Sequence, residues 1–518
     1  MDRTQVAVVG GGLAGTSAAI QAAEADLDVT LVDENPIDFS MMGLDVPFLF
    51  GQRMMPTLRD KGLMLQRVVS SSDLLATAQE IGVQALLGTY VWGSFRNEEN
   101  SRQLERPVLG LADEDRSWLL EYDHLILAPG ARDLVLGFPG QSLAGVMGAN
   151  GASLLLSRYQ ALTAEKMVVL GSGALGLSSA SQAIDNGIEV VAVVDISPTV
   201  RGDEGFRANL KDRGVLFYTS HTIKEARGYR EVESIVISQV NGNLQPIDGS
   251  ERELQCDTVC LAMGLVPSIE LPYLTGCNLS YRPELGGYIP DIDQHMRTSI
   301  ENVYVVGDGG GFYEGMVASP EVAANQGKLA GITVAETAGA LDKGKATSLR
   351  QEFSSPLKAA DGESTAEYWA AWLSSLISTG GMNVNACECE EVTRTELLNV
   401  APPRHLSWPS EQMSHRNLTD LLEQGAADLD RLKRLTRTGM GYCQGRRCRE
   451  ETALLVAQAA GIDLSQIPLA SYRPPVRPLP LKIMWPHEEP EELRRTWDYW
   501  VNPPMDKVKE VQEHQGRS

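Results

Sequence analysis

The stretch QVAVVGGGLAGTSAAIQAAEADLDVTLVD, residues 5–33, predicts a β-strand, a glycine turn, an Ala-rich helix and a second strand. Gly10, Gly12 and Gly15 place the pattern G-x-G-x-x-G between the first strand and the helix. The first glycine permits a tight turn, the second lets the backbone approach a pyrophosphate, and the third lets helix and strand pack closely. Asp33 ends the second strand, where a carboxylate can accept hydrogen bonds from ribose hydroxyls. The stretch therefore predicts a βαβ unit that binds a dinucleotide.

A second unit of the same kind begins at Lys166, where KMVVLG leads into another glycine turn. Gly171, Gly173 and Gly176 repeat the glycine pattern, and Asp195 ends the strand that follows. An acid at that position favours an adenine nucleotide with a free 2′-hydroxyl, and therefore NAD rather than NADP. Duplicated domains can also keep the fold after losing the ligand. The sequence leaves open whether this second site is occupied or vestigial.

Two further segments, APGAR and TSIENVYVVGDGGG, flank the second unit. The residues that they contribute to the predicted site are Ala128, Gly130, Gly307 and Asp308. Their order predicts an α/β fold in which one dinucleotide-binding domain is interrupted by a second and then completed. Both segments resemble those of flavoproteins with two dinucleotide-binding domains, the glutathione-reductase-like class. The resemblance implies that FAD occupies the first site and that Asp308 meets its ribityl chain and pyrophosphate.

The composition of the 518-residue chain excludes several functional classes. A net charge of −23 repels phosphate backbones, and only 6% of the residues are aromatic, so nucleic-acid binding is not expected. The N-terminus runs directly into a strand pattern rather than a signal peptide, and no apolar run reaches the about 18 residues of a membrane-spanning helix. We therefore expect a cytoplasmic chain without a transmembrane segment, which partner proteins could still bring to a membrane.

Four of the seven cysteines lie in two close pairs near the C-terminus: Cys387, Cys389, Cys443 and Cys448. Four thiolates brought to one point suit either zinc or an iron–sulfur cluster. Structural zinc ribbons usually space each pair as C-x2-C, whereas these pairs read C-x-C and C-x4-C. A flavin can transfer two electrons together, whereas a [2Fe-2S] centre transfers one at a time. A chain with both would therefore convert two-electron transfer into one-electron steps. The spacing of the cysteines and the predicted flavin in the same chain favour a [2Fe-2S] cluster over zinc.

The other cysteines carry no predicted chemistry. No cysteine precedes Cys256, so the dithiol that disulfide reductases of this fold place beside the flavin is missing. Cys256 and Cys260 are expected to share one face of a buried strand, and Cys277 is expected in the core as well. The seven histidines are scattered without a metal-binding spacing. The sequence identifies no catalytic residue.

The segments around the cysteine pairs carry a more specific resemblance. EEVTRTEL at residues 390–397 and TRTGMGYCQGRRC at residues 436–448 resemble the small ferredoxin-like [2Fe-2S] domain known from bacterioferritin-associated ferredoxin. Residues 4–480 resemble the α-subunits of hetero-oligomeric amino-acid dehydrogenases. These include octopine and nopaline oxidases, D-hydroxyproline dehydrogenase and hydrogen cyanide synthase, with the α-subunit of bacterial sarcosine oxidase more distantly related.

The resemblance implies a division of labour within an assembly. A separate β-subunit with its own FAD would oxidise the amine, and a small third subunit is an option. This chain would hold FAD and the cluster and pass electrons to an acceptor that the sequence does not identify. Two segments depart from the family pattern: residues 34–55 replace a GGQ-type loop under the flavin, and residues 406–417 lengthen the gap between the cysteine pairs.

The length predicts about three to four domains. We expect an FAD-binding domain at 1–140 and 263–342, a second nucleotide-binding domain at 141–262, a linker with one helix at 343–380, a helical [2Fe-2S] domain at 381–470 and a Pro-rich tail at 471–518. The favoured function is the electron-transferring FAD/[2Fe-2S] subunit of a dehydrogenase that oxidises the C–N bond of an amino acid, imino acid or opine. A self-sufficient NADH-dependent reductase and a non-catalytic nucleotide-binding scaffold are the alternatives.

Overall fold

The strands and helices of the protein, taken from a computed structural model, follow the predicted α/β order. The structure describes residues 2–37, 55–97, 104–312, 320–353, 365–405, 416–425, 428–484, 491–492 and 496. In chain order its strands are β1 (Asp2–Val9), β2 (Val29–Asp33), β3 (Gln84–Leu87), β4 (Tyr90–Phe95), β5 (Val108–Ala112), β6 (Ser117–Leu127), β7 (Ala131–Asp133), β8 (Val146–Gly148), β9 (Lys166–Leu170), β10 (Glu189–Val194), β11 (Leu216–Tyr218), β12 (His221–Arg227), β13 (Ser234–Gln239), β14 (Arg252–Gln255), β15 (Thr258–Leu261), β16 (Leu265–Pro267), β17 (Leu279–Arg282), β18 (Gly287–Pro290), β19 (Val303–Val305), β20 (Asn385–Cys387) and β21 (Val392–Thr393). The helices are α1 (Leu13–Ala23), α2 (Lys61–Ser70), α3 (Asp73–Glu80), α4 (Ala149–Ser153), α5 (Ala174–Asp185), α6 (Glu204–Asp212), α7 (Glu270–Thr275), α8 (Pro320–Thr337), α9 (Lys343–Glu352), α10 (Thr365–Ser378), α11 (Arg394–Leu398), α12 (Leu418–Glu423), α13 (Leu429–Thr436), α14 (Arg449–Ala460) and α15 (Leu481–Met484).

The first sheet is built around β1, the strand that precedes the first glycine motif. Its order is β3-β2-β1-β6-β5-β4, and β19 pairs with the C-terminal end of β6. The strands β1, β2, β3, β6 and β19 pair in parallel, whereas β4 and β5 are antiparallel additions. Because β19 comes after the whole second unit in the chain, the first sheet is interrupted and then completed, as the sequence predicts.

The second sheet carries the second glycine motif at the end of β9. Its order is β11-β10-β9-β15-β8, with parallel pairing throughout. The strands β12, β13 and β14 form a separate antiparallel sheet, and β16 pairs with β7. The α/β class with two dinucleotide-type units is therefore confirmed, while the predicted domain boundaries stay a prediction.

Alternate residues of β1 pack on opposite faces of the first sheet, because side-chain direction alternates along a strand. Val6 and Val8 join a core cluster with the alanines of α1, and Ala7 and Val9 join the cluster on the other face. The small residues of α1 let α8 approach so closely that a Cβ at Gly327 would lie 2.0 Å from a backbone oxygen of α1. This packing fixes the start of α1, and with it the first glycine turn.

The segment 343–380 differs from its prediction as a linker with one helix. It contains two helices, α9 and α10, among its described residues. Tyr368, Trp369, Trp372 and Leu376 of α10 are buried in the core of the second unit. Their spacing of one, three and four residues follows one face of a helix, a signal that the polar average of the segment hides. The second half of the predicted linker is therefore part of the core.

The cysteine-bearing segment contains a short hairpin in addition to the predicted helices. The strands β20 and β21 pair antiparallel, and helices α11 to α14 follow. The proline-rich run beyond them is extended, and the backbone N–H of Val476 donates to the carbonyl oxygen of Trp92 in β4 at 2.8 Å. Arg477 forms an ion pair with Glu34, directly after β2. The proline-rich run at Val476 and Arg477 therefore lies against the first sheet.

Several further expectations meet a correction or fall outside the described residues. Cys256 and Cys260 are buried as predicted, but Cys256 precedes β15 and the two thiols pack into different core clusters, so they do not share a face. Most of the segment that replaces the GGQ-type loop, most of the predicted insertion and most of the charged C-terminal end lie outside the described residues. Among the helices described, none is long and apolar enough to cross a membrane.

A buried ion pair holds the cysteine-bearing segment against the first part of the chain. Arg394 and Glu451 are almost fully buried, and Nε of Arg394 lies 2.7 Å from Oε1 of Glu451. The same guanidinium donates to the carbonyl oxygens of Gly137 at 2.5 Å and Gly381 at 2.8 Å. The second carboxylate oxygen of Glu451 accepts the N–H of Gly137 at 3.1 Å. Burial raises the pKa of Glu451, and the charge of Arg394 is the main opposing influence.

Replacing Arg394 with methionine is expected to lower the free energy of unfolding by about 3–5 kcal/mol, because the carboxylate of Glu451 stays buried without its counter-charge. In this variant the folded-state pKa of Glu451 lies further above its unfolded value. The loss should therefore be small below the unfolded pKa and grow as the pH rises, since protonation removes the buried charge. Denaturant unfolding at several pH values measures both effects.

Arg404→Met is the matched control, because Arg404 pairs with Glu396 in the same segment but its side chain is 57% exposed. Its expected effect is about 0–1 kcal/mol. The double variant Arg394→Met/Glu451→Met should recover most of the stability, since it leaves no buried charge. Equal losses for Arg394→Met and Arg404→Met would contradict the role given to the buried pair.

Candidate functional site

The first glycine turn leaves open space at one of its three glycines. Gly10 has a φ of +107°, and a Cβ there would lie 2.1 Å from the carbonyl oxygen of Ala128. A Cβ at Gly15 would lie 1.9 Å from the carbonyl oxygen of Gly10. A Cβ at Gly12, in contrast, would meet no atom of the protein within 4 Å. The fold itself requires glycine at the first and third positions, whereas Gly12 keeps space free for whatever lies in front of it.

That space is a cavity of about 560 Å³ at the carboxyl ends of β1, β2 and β6. Of the residues predicted for the first site, those that line the cavity are Gly10, Gly12, Asp33, Ala128, Gly130 and Asp308. Gly15 and Gly307 shape the backbone instead, and the N–H of Gly307 donates to the Oε1 atom of Gln326 at 2.8 Å. Burial raises the pKa of Asp308. The structure thus brings three separate stretches of sequence to one cavity.

Asp33 is held in place by backbone N–H groups at the end of β2. Its carboxylate oxygens accept hydrogen bonds from the N–H of Gly11 at 2.5 Å and the N–H of Asn35 at 2.8 Å. Nη1 of Arg158 lies 3.8 Å from Oδ1. The carboxylate lines the cavity in this fixed orientation, so it can accept hydrogen bonds from the hydroxyls of a bound ribose.

Asp133 is a buried carboxyl group in the cavity wall that sequence reasoning missed. Its side chain accepts the N–H groups of Asn150 at 2.8 Å and Gly151 at 3.3 Å, near the start of α4. Burial raises the pKa of Asp133 to about 7, and these backbone hydrogen bonds oppose the shift. A carboxyl group that titrates near neutral pH can take up or release a proton at a cofactor cavity. It directly follows the quoted APGAR motif, which is the one signal that could have drawn attention to it.

The second glycine turn repeats the backbone geometry of the first. Gly171 has a φ of +114°, and a Cβ there would lie 2.2 Å from the carbonyl oxygen of Ala262. A Cβ at Gly176 would lie 1.9 Å from the carbonyl oxygen of Gly171. Gly173 immediately precedes α5, and Asp195 is only 1% exposed at the end of β10. These predicted residues come together as a turn, and a side chain of α10 contacts the acid.

The four paired cysteines come together in space. Sγ of Cys389 lies 3.8 Å from Sγ of Cys387 and 3.7 Å from Sγ of Cys443. Cys448 interacts with Cys387, and the backbone N–H of Gly439 points at the sulfur of Cys387 from 3.4 Å. Cys387, Cys443 and Cys448 are buried and Cys389 is partly buried. Two cysteine pairs that are far apart in sequence thus form one cluster of sulfur atoms.

The thiols of this cluster influence one another strongly. Hydrogen bonds from Cys389 and Cys448 lower the pKa of Cys387, and a hydrogen bond from Cys389 lowers the pKa of Cys443 to about 6. The same contacts raise the pKa of Cys389 and of Cys448. Four neighbouring buried thiolates would repel one another unless a positive centre lay between them. Within the described residues, no group of three or more His, Cys, Asp or Glu side chains has the arrangement of a preformed metal-ion site.

The cysteine cluster and the cavity share a wall. Arg446 lies in the turn between the second pair of cysteines and also lines the cavity. Beside it, Nη1 of Arg132 lies 2.6 Å from Oε1 of Glu270, and Nη2 of Arg132 lies 3.5 Å from Oε1 of Glu450. Sequence reasoning missed these residues, including Arg132 at the end of the APGAR motif, because their charges meet only through the fold. The turn that carries the second pair of cysteines thus also reaches the cavity.

Comparisons with known proteins agree with this architecture. The pyridine nucleotide-disulphide oxidoreductase family matches residues 4–339, and the sarcosine oxidase A3 domain matches residues 410–486. L-Proline dehydrogenase from P. horikoshii superposes with a TM-score of 0.60 over 94% of this chain and 80% of that one, at 21% identity. At this identity, the structural likeness shows the fold alone.

Curated relatives cover almost the whole chain. An opine oxidase subunit of Agrobacterium tumefaciens (strain Ach5) is 25% identical over 487 residues, which are 92% of this chain and 90% of that protein. Hydrogen cyanide synthase subunit HcnB of Pseudomonas aeruginosa is 24% identical over 468 residues, 85% of this chain and 90% of that protein. These matches confirm the predicted resemblance and the prediction of an oxidoreductase. Since the family match covers more than half of its length, the chain belongs to the pyridine nucleotide-disulphide oxidoreductase family.

Proposed function

We propose that this chain is the electron-transferring subunit of a multisubunit dehydrogenase, with FAD in the cavity and a [2Fe-2S] cluster on the four paired cysteines. The observation that carries the proposal is the shared wall, in which Arg446 belongs to both sites. Electron transfer between two centres requires that they lie close together. A cysteine cluster whose turn also reaches the dinucleotide-type cavity meets this requirement.

The residues of the cavity fit FAD. Gly12 leaves room for a pyrophosphate at the start of α1, where unpaired backbone N–H groups favour negative charge. Asp33 is positioned for ribose hydroxyls, and Asp308 lines the same cavity. Family membership supports FAD as the cofactor. When bound, FAD supplies two-electron chemistry, while the chain orients it and Asp133 can hold a proton beside it.

The cysteine cluster fits a [2Fe-2S] centre better than a structural zinc ion. Structural zinc ribbons usually space each cysteine pair as C-x2-C, whereas these pairs are spaced as C-x-C and C-x4-C. A two-iron cluster needs thiolates in pairs and backbone N–H groups that tune it. The contact from the N–H of Gly439 to Cys387 is of this kind. When bound, the cluster supplies one-electron chemistry.

Amine oxidation is assigned to a partner. The curated relatives are named as subunits of opine oxidase and of hydrogen cyanide synthase, which implies partner subunits for them. The chain has no cysteine before Cys256, so it lacks the dithiol of a disulfide reductase although it belongs to that family by fold. We infer a catalytic β-subunit with its own FAD, and a small third subunit is an option. The substrate class is the C–N bond of an amino acid, imino acid or opine.

Gly12→Val should abolish FAD binding, because the added side chain fills the space in front of the glycine turn. The fold should survive, since Gly12 has an ordinary φ of −74° and no protein atom near its Cβ position. The measurement is the ratio of flavin absorbance at 450 nm to protein, which should fall to the background level in the variant. Gly242→Val is the control, because Gly242 is exposed with equal room for a Cβ and should keep full occupancy. Full FAD occupancy in Gly12→Val would place the cofactor elsewhere.

Cys443→Ser should lose iron and acid-labile sulfide and keep FAD, since Cys443 contacts the other thiols but does not line the cavity. Metal analysis of anaerobically purified protein and EPR of the reduced chain measure the loss. Cys277→Ser is the control, because Cys277 is also buried but belongs to the core of the first unit. One zinc per chain without iron or sulfide in the unaltered protein would refute the cluster.

A tagged chain produced with its native neighbours should copurify with a second flavin-containing polypeptide, and the assembly rather than the isolated chain should oxidise an amino acid or opine. Size-exclusion chromatography with flavin and mass analysis tests this. The control is the same preparation from cells that carry the untagged chain. An isolated monomer that oxidises such a substrate by itself would defeat the assignment of amine oxidation to a partner.

A further inference from the structure

The duplicated glycine turns allow one site of the chain to be compared with the other. Gly10 packs against the carbonyl of Ala128, and Gly171 packs against the carbonyl of Ala262, at nearly the same hypothetical Cβ distances of 2.1 and 2.2 Å. The backbone around the two turns is therefore equivalent. If other side chains cover one of the two turns and not the other, the turns differ in their access to a ligand, although their backbone fold is the same.

The two acids also make equivalent backbone contacts. Asp33 and Asp195 each accept the N–H of the second residue of their glycine motif at 2.5 Å. Each acid also accepts, at 2.8 Å, the N–H of the residue two positions after it in the chain, which is Asn35 for Asp33 and Ser197 for Asp195. Both carboxylates are thus held in the orientation that suits ribose hydroxyls.

The second acid is covered by a side chain of α10. The hydroxyl of Tyr368 donates to Oδ2 of Asp195 at 3.0 Å, in a fully buried contact. The guanidinium carbon of Arg201, a residue that follows β10 in the chain, lies 3.7 Å from the centre of the Tyr368 ring. A hydroxyl that donates to this carboxylate occupies the position that a ribose hydroxyl takes in a dinucleotide complex. Asp33, in contrast, faces the open cavity.

A second residue of α10 covers the next strand end. Gly130 and Gly264 hold corresponding places in the sequence, since each stands two residues after the alanine whose carbonyl touches its glycine turn, but only Gly130 has a positive φ, of +68°. A Cβ at Gly130 would meet no atom within 4 Å, and Gly130 lines the cavity. A Cβ at Gly264 would lie 2.4 Å from the indole nitrogen of Trp369. The helix therefore lies across the second site at two points.

We propose that α10 is a built-in plug of the second dinucleotide-binding unit, and that Tyr368 and Trp369 exclude NAD(H) and NADP(H) from it. The hydroxyl of Tyr368 makes the hydrogen bond to Asp195 that a ribose hydroxyl would make. Trp369 fills the space next to Gly264, which follows β15. The chain then cannot reduce its own flavin with a nicotinamide nucleotide, so electrons enter from a partner. Tyr368 and Trp369 do not line the cavity and are not among the paired cysteines, so the plug can be tested separately from the cluster assignment.

Hydrogen exchange of the FAD-loaded chain tests the plug without any mutation. ADP-ribose is the probe, because it carries the ribose and pyrophosphate of NAD but cannot transfer a hydride, and bound FAD protects the first site from it. At concentrations up to about 1 mM, exchange at residues 171–176 and 365–378 should stay unchanged. Slower exchange at the glycine turn together with faster exchange in α10 would show that a nucleotide displaces the helix, and would overturn the proposal. Such displacement would overturn only the plug, because iron found in the same protein would still support a [2Fe-2S] cluster on the paired cysteines.

The double variant Tyr368→Ala/Trp369→Ala should open the second site. Its affinity for ADP-ribose, measured by calorimetry on the FAD-loaded protein, should rise at least about tenfold above that of the unaltered chain. Adding Asp195→Ala should remove the gain. Tyr229→Ala is the control, because Tyr229 is an aromatic residue of the same unit that is 85% exposed, and it should change nothing. A folded double variant without any gain in affinity would overturn the proposal, and the exchange measurement decides the question if that variant does not fold.

Discussion

The burial of Arg394 decides where the cysteine pairs lie relative to the dinucleotide-type cavity. A buried guanidinium needs partners for its charge and its N–H groups, and it finds them in Glu451 and in the carbonyl oxygens of Gly137 and Gly381. These partners come from different stretches of the chain, so they fix the cysteine-bearing segment in one orientation. In that orientation the turn that contains Arg446 forms part of the cavity wall. The proposed electron path depends on this placement.

The two glycine turns share a local fold but differ in the segments of chain that lie in front of them. The first turn faces a cavity that the proline-rich tail helps to line, through Val476 and Arg477. The second turn faces helix α10, whose aromatic residues fill the equivalent space. In both cases the residues that decide access follow the family's duplicated core in the chain. Loss of one nucleotide site would leave a protein that receives electrons only through its remaining cofactors.

The sequence predicts the features that depend on local spacing. The glycine motifs, the acids that end the following strands and the two cysteine pairs are visible because backbone turns and metal ligands require fixed residue types at fixed intervals. The contact between Tyr368 and Asp195 joins residues 173 positions apart, and no local pattern predicts it. The same holds for Arg446 in the cavity wall. The sequence predicts one helix in the segment 343–380, and the helical period of the aromatic residues could also have indicated the buried face of α10. The polar average of the segment hides that signal.

The central claim is that FAD and a two-iron cluster occupy neighbouring sites of this one chain. Anomalous diffraction from crystals of the native assembly, recorded on both sides of the iron and zinc absorption edges, tests it most directly. The account predicts two iron positions among the sulfur atoms of Cys387, Cys389, Cys443 and Cys448, with flavin density in the cavity lined by Gly12 and no nucleotide at the second turn. A single zinc position among those sulfur atoms, or a cavity that holds no flavin, would contradict it.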